Sequence, residues 1–165
     1  SGWGSAIKVR VGGDGITIKN NRVYNNYGEG IAVTRGINTI VSDNIVYDNC
    51  AVNIYRDNSH DGTVERNFVT CTGHPEFQKT SEDRQAGIAL AEESYSGWGA
   101  QLARVMVVNN LVGYCRYGVT YYGSDVSGGG LDSVLIAYNT LWGAYRTGIS
   151  LTYESTKTRN TVIAK

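Results

Sequence analysis

The chain is 165 residues long, 41% apolar and free of long apolar runs, so it has the length of one domain and no stretch that would cross a membrane as a helix. Fifteen Lys and Arg balance fifteen Asp and Glu, which removes the electrostatic case for nucleic acid or an anionic membrane, and neither is expected as a partner. Helix formers are scarce beside Gly, Asn, Thr, Tyr and Val, and apolar residues recur two apart, the period of strands.

From its first residues the chain repeats itself. Trp3-Gly-Ser-Ala6-Ile7-Lys-Val9 aligns on Tyr27-Gly-Glu-Gly30-Ile31-Ala-Val33, and copies of one frame follow, anchored on Asn21, Asn44, Asn67, Asn110 and Asn139. Three residues before the anchors stand Ile18, Val41, Val64, Val107 and Ile136, and five before them Ile16, Thr39, Gly62, Val105 and Val134. Two after them come Val23, Val46, Val69, Val112 and Leu141, and further on Ile31, Ile54, Ile88, Val119 and Ile149. Each copy therefore holds three short strands separated by Asn, Gly and Asp turns. Repetition at this period means a fold built by stacking one unit rather than closing one core.

The anchors lie 23, 23, 43 and 29 residues apart. The two excesses locate loop insertions, the first in residues 73–85 plus 92–104 and the second in 123–132. At the finish, Thr161-Val-Ile163-Ala-Lys165 matches the run before a further anchor. The chain is therefore expected to be a segment of a longer solenoid, or a subunit that stacks end to end.

The frame Ile16-Thr-Ile-Lys-Asn-Asn21-Arg-Val23-Tyr-Asn-Asn26-Tyr-Gly-Glu-Gly30-Ile31-Ala-Val33, with its later counterparts, resembles the right-handed parallel β-helix repeat of pectate-lyase-like proteins and of the right-handed β-helix region family. The resemblance implies one all-β domain over residues 1–165, a right-handed parallel β-helix solenoid of about six coils of three short strands with two loop insertions. It implies little about activity, since that family holds lyases, epimerases, hydrolases and phage tailspikes. One reading is a secreted or cell-surface module, hence extracellular, that binds polysaccharide, either alone or as part of a polysaccharide lyase or epimerase. The others are a structural solenoid that associates end to end in a fibre, stalk or adhesin, and a phage tailspike segment. The insertions and the aromatic residues favour polysaccharide as the partner.

Stacking explains the residue types. Equivalent side chains of coils about 4.8 Å apart form ladders, so an inward apolar column gives a continuous narrow core. Asn at the corner tolerates left-handed backbone, and its amide bonds along the column. Cys50, Cys71 and Cys115 stand at different offsets from their anchors. They read as small buried thiols or as one bridge, Cys50 to Cys71, and no metal-ligand spacing is present.

Polar chemistry concentrates in Arg56-Asp57-Asn58-Ser59-His60-Asp61, continuing to Glu65 and Arg66. A sugar lyase or epimerase needs a base and a cation that stabilises an enolate. His60 suits the base, Arg56 or Arg66 would hold a uronate carboxylate, and Asp57 with Asp61 would suit calcium, although no cofactor is required. The same residues suit a plain turn into the next coil. A second candidate is aromatic. Tyr24, Tyr47 and Trp142 share the column three residues after the anchors, with Asn25 and Asp48 nearby for sugar hydroxyls, and Trp98 stands in the first insertion. Flat rings spaced along a strand stack on sugar faces. Met106, Val108, Leu135 and Ala137 form an outward apolar patch that wants a cover.

Overall fold

The computed structural model describes residues 4–77, 85–93, 102–124, 130–151 and 158–165. Among them the strands form three sheets in which every pairing is parallel. The first sheet holds Ile7–Val9, Ile31–Thr34, Val52–Asp57, Ala86–Glu93, Tyr117–Ser124 and Thr147–Ser150. The second holds Thr17–Lys19, Ile40–Ser42, His60–Glu65, Ala103–Val108, Leu135–Ala137 and Val162–Ala164. Arg22–Tyr24, Ile45–Tyr47, Phe68–Thr70, Leu111–Gly113 and Thr140–Trp142 make the third. The chain visits the sheets in turn, and each circuit is one coil of a right-handed parallel β-helix.

The apolar columns read from the repeat are the rungs of the core. Ile18 pairs with Val41, then Val64, Val107 and Ile136, and Val23 with Val46, Val69, Val112 and Leu141. Ile31, Ile54, Ile88 and Val119 line the first sheet in the same way. Nearly all of these side chains are buried in one cluster. Removing one such side chain from water is worth about 2 kcal/mol, so the stack is stabilised rung by rung.

Asn21, Asn44, Asn67, Asn110 and Asn139 form one continuous ladder at the corner between the second and third sheets. From Asn44 onward, each Oδ1 accepts from both the backbone N–H and the Nδ2 of the asparagine on the preceding coil, at 2.9–3.0 Å. Each Nδ2 also reaches a strand carbonyl, as Asn67 does with Val41 at 2.9 Å. The left-handed backbone expected at these asparagines lies elsewhere. It falls on the residue before each one, Asn20, Asp43, Arg66, Asn109 and Tyr138, with φ between 50° and 58°. The ladder asparagine must aim its amide into the corner, and the residue ahead of it makes the turn.

The cysteines also differ from expectation. Cys71 and Cys115 form the disulfide, with Cα atoms 4.8 Å apart, and Cys50 is the free thiol. An extra corner residue shifts Cys115 by one place relative to its anchor, so counting from the asparagine hides that the two are neighbours. Asn53 donates from Nδ2 toward Cys71 Sγ at 3.2 Å and accepts from Asn49, which accepts in turn from Asn26. A shorter polar ladder thus runs into the disulfide.

Both insertions return to one buried carboxylate. Glu92 Oε1 accepts from Leu102 N–H at 2.8 Å, while Oε2 accepts from Tyr121 O–H at 3.0 Å and Gly130 N–H at 2.5 Å. The insertions expected from residues 92 and 123 begin only after Glu93 and Ser124, because Glu92 and Glu93 still pair with Gly123 and Ser124. At the start of the first insertion, the turn Pro75–Phe77 buries Phe77 against Tyr27, with ring centroids 5.1 Å apart. Of the outward apolar patch, Met106 is exposed, whereas Val108 and Ala137 are buried.

Replacing Asn67 by Ala strands the Asn44 N–H and amide and the Val41 carbonyl in a buried corner. The expected loss is about 3 kcal/mol or more by urea denaturation, against about 1 kcal/mol for Asn21→Ala at the partly open end. Reducing the Cys71–Cys115 bond, whose partners lie 44 residues apart, should cost about 4 kcal/mol on the chain-entropy estimate, read as a lower thermal midpoint in dithiothreitol.

Candidate functional site

The polar run 56–66 spreads over three surroundings instead of converging. Arg56 points into the coil, in register between Val33 and Leu90, and is wholly buried, so it cannot hold a substrate carboxylate at the surface. Asp57, next in the strand, points out of the first sheet yet is only 2% exposed. Its Oδ1 accepts from Glu93 N–H at 3.2 Å. Burial, helped by the charge of Glu93, pushes the Asp57 carboxyl up to about 7. Arg66 stands at the far end of the six-residue strand His60–Glu65 from His60. It is consumed there by Asp43, at 2.8 and 3.0 Å, and by Glu65 at 2.7 Å.

His60 and Asp61 do meet, at the corner where the chain enters the second sheet. His60 Nδ1 lies 2.6 Å from Asp61 Oδ2, and Arg104 from the next coil grips the carboxylate through Nε at 2.6 Å and Nη2 at 2.8 Å. Hydrogen bonds from Arg104, then from His60, hold the Asp61 carboxyl well below the usual carboxylate range. Asp61 is thereby a poor proton acceptor, its carboxylate already taken up by two neighbours. Beside this pair runs an open groove of about 520 Å³ floored by Ile40, Thr63 and Met106 and edged by Asn38, Asp61, Arg104 and Ser133. Arg104 was not singled out in the sequence because it lies in the return of an insertion. Asp57 and Asp61 belong to different sheets, and among the described residues no three His, Cys, Asp or Glu side chains gather as metal ligands.

The aromatic candidates share one surface. Tyr24, Tyr47, Thr70, Gly113 and Trp142 are in register down the outward face of the third sheet. Beside them runs a second outward column, Arg22, Ile45, Phe68, Leu111 and Thr140. Tyr24, Ile45 and Leu111 are each about 45% exposed, and Phe68 is 39% exposed. Gly113 decides the shape of this face, because a Cβ there would run into the Trp142 indole. The indole fills the space above the glycine and meets Phe68 at 6.2 Å and Tyr114 at 6.0 Å between centroids.

Tyr24 and Tyr47 use their faces on each other. Their rings are stacked with centroids 4.9 Å apart and 4° between planes, and Arg22 lies against both while donating to the Tyr47 hydroxyl at 2.9 Å. Each ring therefore covers one face of the other. Asp48 is also withdrawn, buried and bonded to the Thr72 N–H and hydroxyl at 2.7 Å each. Asn25 remains exposed at the corner. Arg22 escaped the sequence reading, although alternation from Tyr24 places it outward. Trp98 lies outside the described residues.

The profile described as right handed beta helix region matches residues 3–163. No curated protein and no solved structure matches the chain.

Asp57 generates a pH test. Its folded value lies above the ordinary 3.8, so between about 4 and about 7 the folded state binds more protons than the unfolded one, and stability falls as pH rises through that window. Asp57→Asn should remove the penalty, raising stability at pH 8 by an amount on the order of a few kcal/mol and flattening the profile between pH 4 and 7. Denaturation midpoints across that range, with an NMR titration of the carboxyl carbon, provide the check.

Proposed function

The chain belongs to the right-handed β-helix region family, and on that premise we propose that the outward face of its third sheet binds polysaccharide. What carries the reading is the register that sets Tyr24, Tyr47 and Trp142 in one outward column beside exposed Ile45, Phe68 and Leu111. Five strands at about 4.8 Å spacing make a strip roughly 20 Å long, running along the coil axis, which suits a linear glycan lying across successive coils. Trp142 supplies the ring that stacks on a sugar, and the tyrosine pair and Asn25 supply hydroxyl and amide partners. Arg22 is the one charged residue of these two columns and would meet an acidic sugar at that end. The Cys71–Cys115 bond favours an oxidising, extracellular setting for the module.

Affinity electrophoresis against acidic and neutral polysaccharides tests the reading. Retention by the unaltered chain should drop about tenfold or more in Trp142→Ala, an effect of about 1.4 kcal/mol or more. Gly113→Val, which evicts the indole from above the sheet, should lower retention in the same direction. Tyr24→Ala with Tyr47→Ala should weaken it further, while Met106→Ala on the second sheet should leave it unchanged. Failure of the unaltered chain to bind any glycan on either panel ends the proposal.

A further inference from the structure

We infer that the interior of the coil holds a small monovalent anion, a halide, beside Arg56. This site is independent of the outward aromatic face. The register places Arg56 between Val33 and Leu90, in a column that belongs to the apolar core, and the side chain is fully enclosed. Its Nε donates to Ser59 Oγ at 3.2 Å and its Nη1 to the Thr39 carbonyl at 3.1 Å, but Nη2 meets no acceptor. Among the described residues no carboxylate pairs with it. Thr39 adds a second orphan, since its hydroxyl is also buried and unpartnered although its carbonyl serves Nη1.

A buried charge with no counterion and two unsatisfied polar groups is a costly arrangement for a core to keep. A halide answers all of it, accepting a hydrogen bond from Nη2 and one from the Thr39 hydroxyl while its charge balances the guanidinium; a water would leave the charge unbalanced. Small residues surround the guanidinium. Ser59 and Gly62 stand where the next coil carries Leu102 and Val105, and Gly36 stands at the same level on the coil before. A Cβ on Gly62 would strike both terminal nitrogens of Arg56 and the Thr39 carbonyl.

Bromide serves as the probe, because it shares the charge of chloride and scatters anomalously. Crystals grown in sodium bromide should show an anomalous peak within hydrogen-bond distance of Arg56 Nη2. Since unfolding releases the ion, the thermal midpoint should rise by about 4 °C for each tenfold increase in bromide above the dissociation constant. Thr39→Val keeps the shape of the side chain and should lose most of that slope, and Arg56→Met should abolish it where it folds. The difference in slope from the unaltered chain cancels general salt effects. Absence of the anomalous peak, or a bromide slope in Thr39→Val equal to that of the unaltered chain, overturns the proposal.

Discussion

A buried corner has polar backbone groups and no helix or solvent to satisfy them, and the asparagine ladder is the answer this chain gives. Beyond the first rung, each ladder amide accepts twice from the coil before and donates to a strand carbonyl, so no inner rung is complete without its neighbours. Such a ladder cannot tolerate a slip, because a shift by one residue would both break it and turn the inward valines outward. The constraint also dictates where the chain can vary. From the column three before the anchor to the column two after it, spacing is constant in all copies, and the insertions emerge only at the other two corners.

What was legible in the sequence follows from that constancy. Period-two alternation and a fixed anchor place Ile18, Val41 and Val64 in one column without ambiguity, and the third-sheet face with Tyr24, Tyr47 and Trp142 is legible for the same reason. Legibility fails where corner length changes. Cys71 and Cys115 pair because the corner after the third sheet differs by a residue between their coils. The left-handed positions were hidden too, since Arg66, Arg104 and Tyr138 adopt that backbone despite being types that seldom do. Arg56 is the opposite case. It is in phase with Ile54, so alternation alone points it inward, and only its charge argues for the surface.

The ion pairs bridging successive coils do different work from the ladder. Asp43–Arg66, Asp61–Arg104 and Asp132–Arg159 each link one coil to the next at exposed corners. At such exposure a pair contributes between nothing and about 1 kcal/mol, far less than a buried rung. In each pair the acid stands one coil before the base, an order that disfavours a register bringing like charges together. Stability comes from the valines and asparagines, and the corner charges help select the pairing.

The three faces of the coil have correspondingly different uses. On the first sheet the outward residues Ala32, Ala89, Ala91 and Asp57 are buried, and Tyr122, in register with Ala91, is the exposed ring there. On the second, Arg104 and His60 both already engage the Asp61 carboxylate at the groove. The third keeps large apolar and aromatic groups in water, and it does so beside a glycine whose missing side chain lets Trp142 lie above the sheet. Exposed apolar rows on a solenoid invite edge and face association unless something occupies them, and the proposed glycan, with one apolar face and a rim of hydroxyls, would meet the ring of Trp142 at one end of this strip and Arg22 with the Asn25 amide at the other.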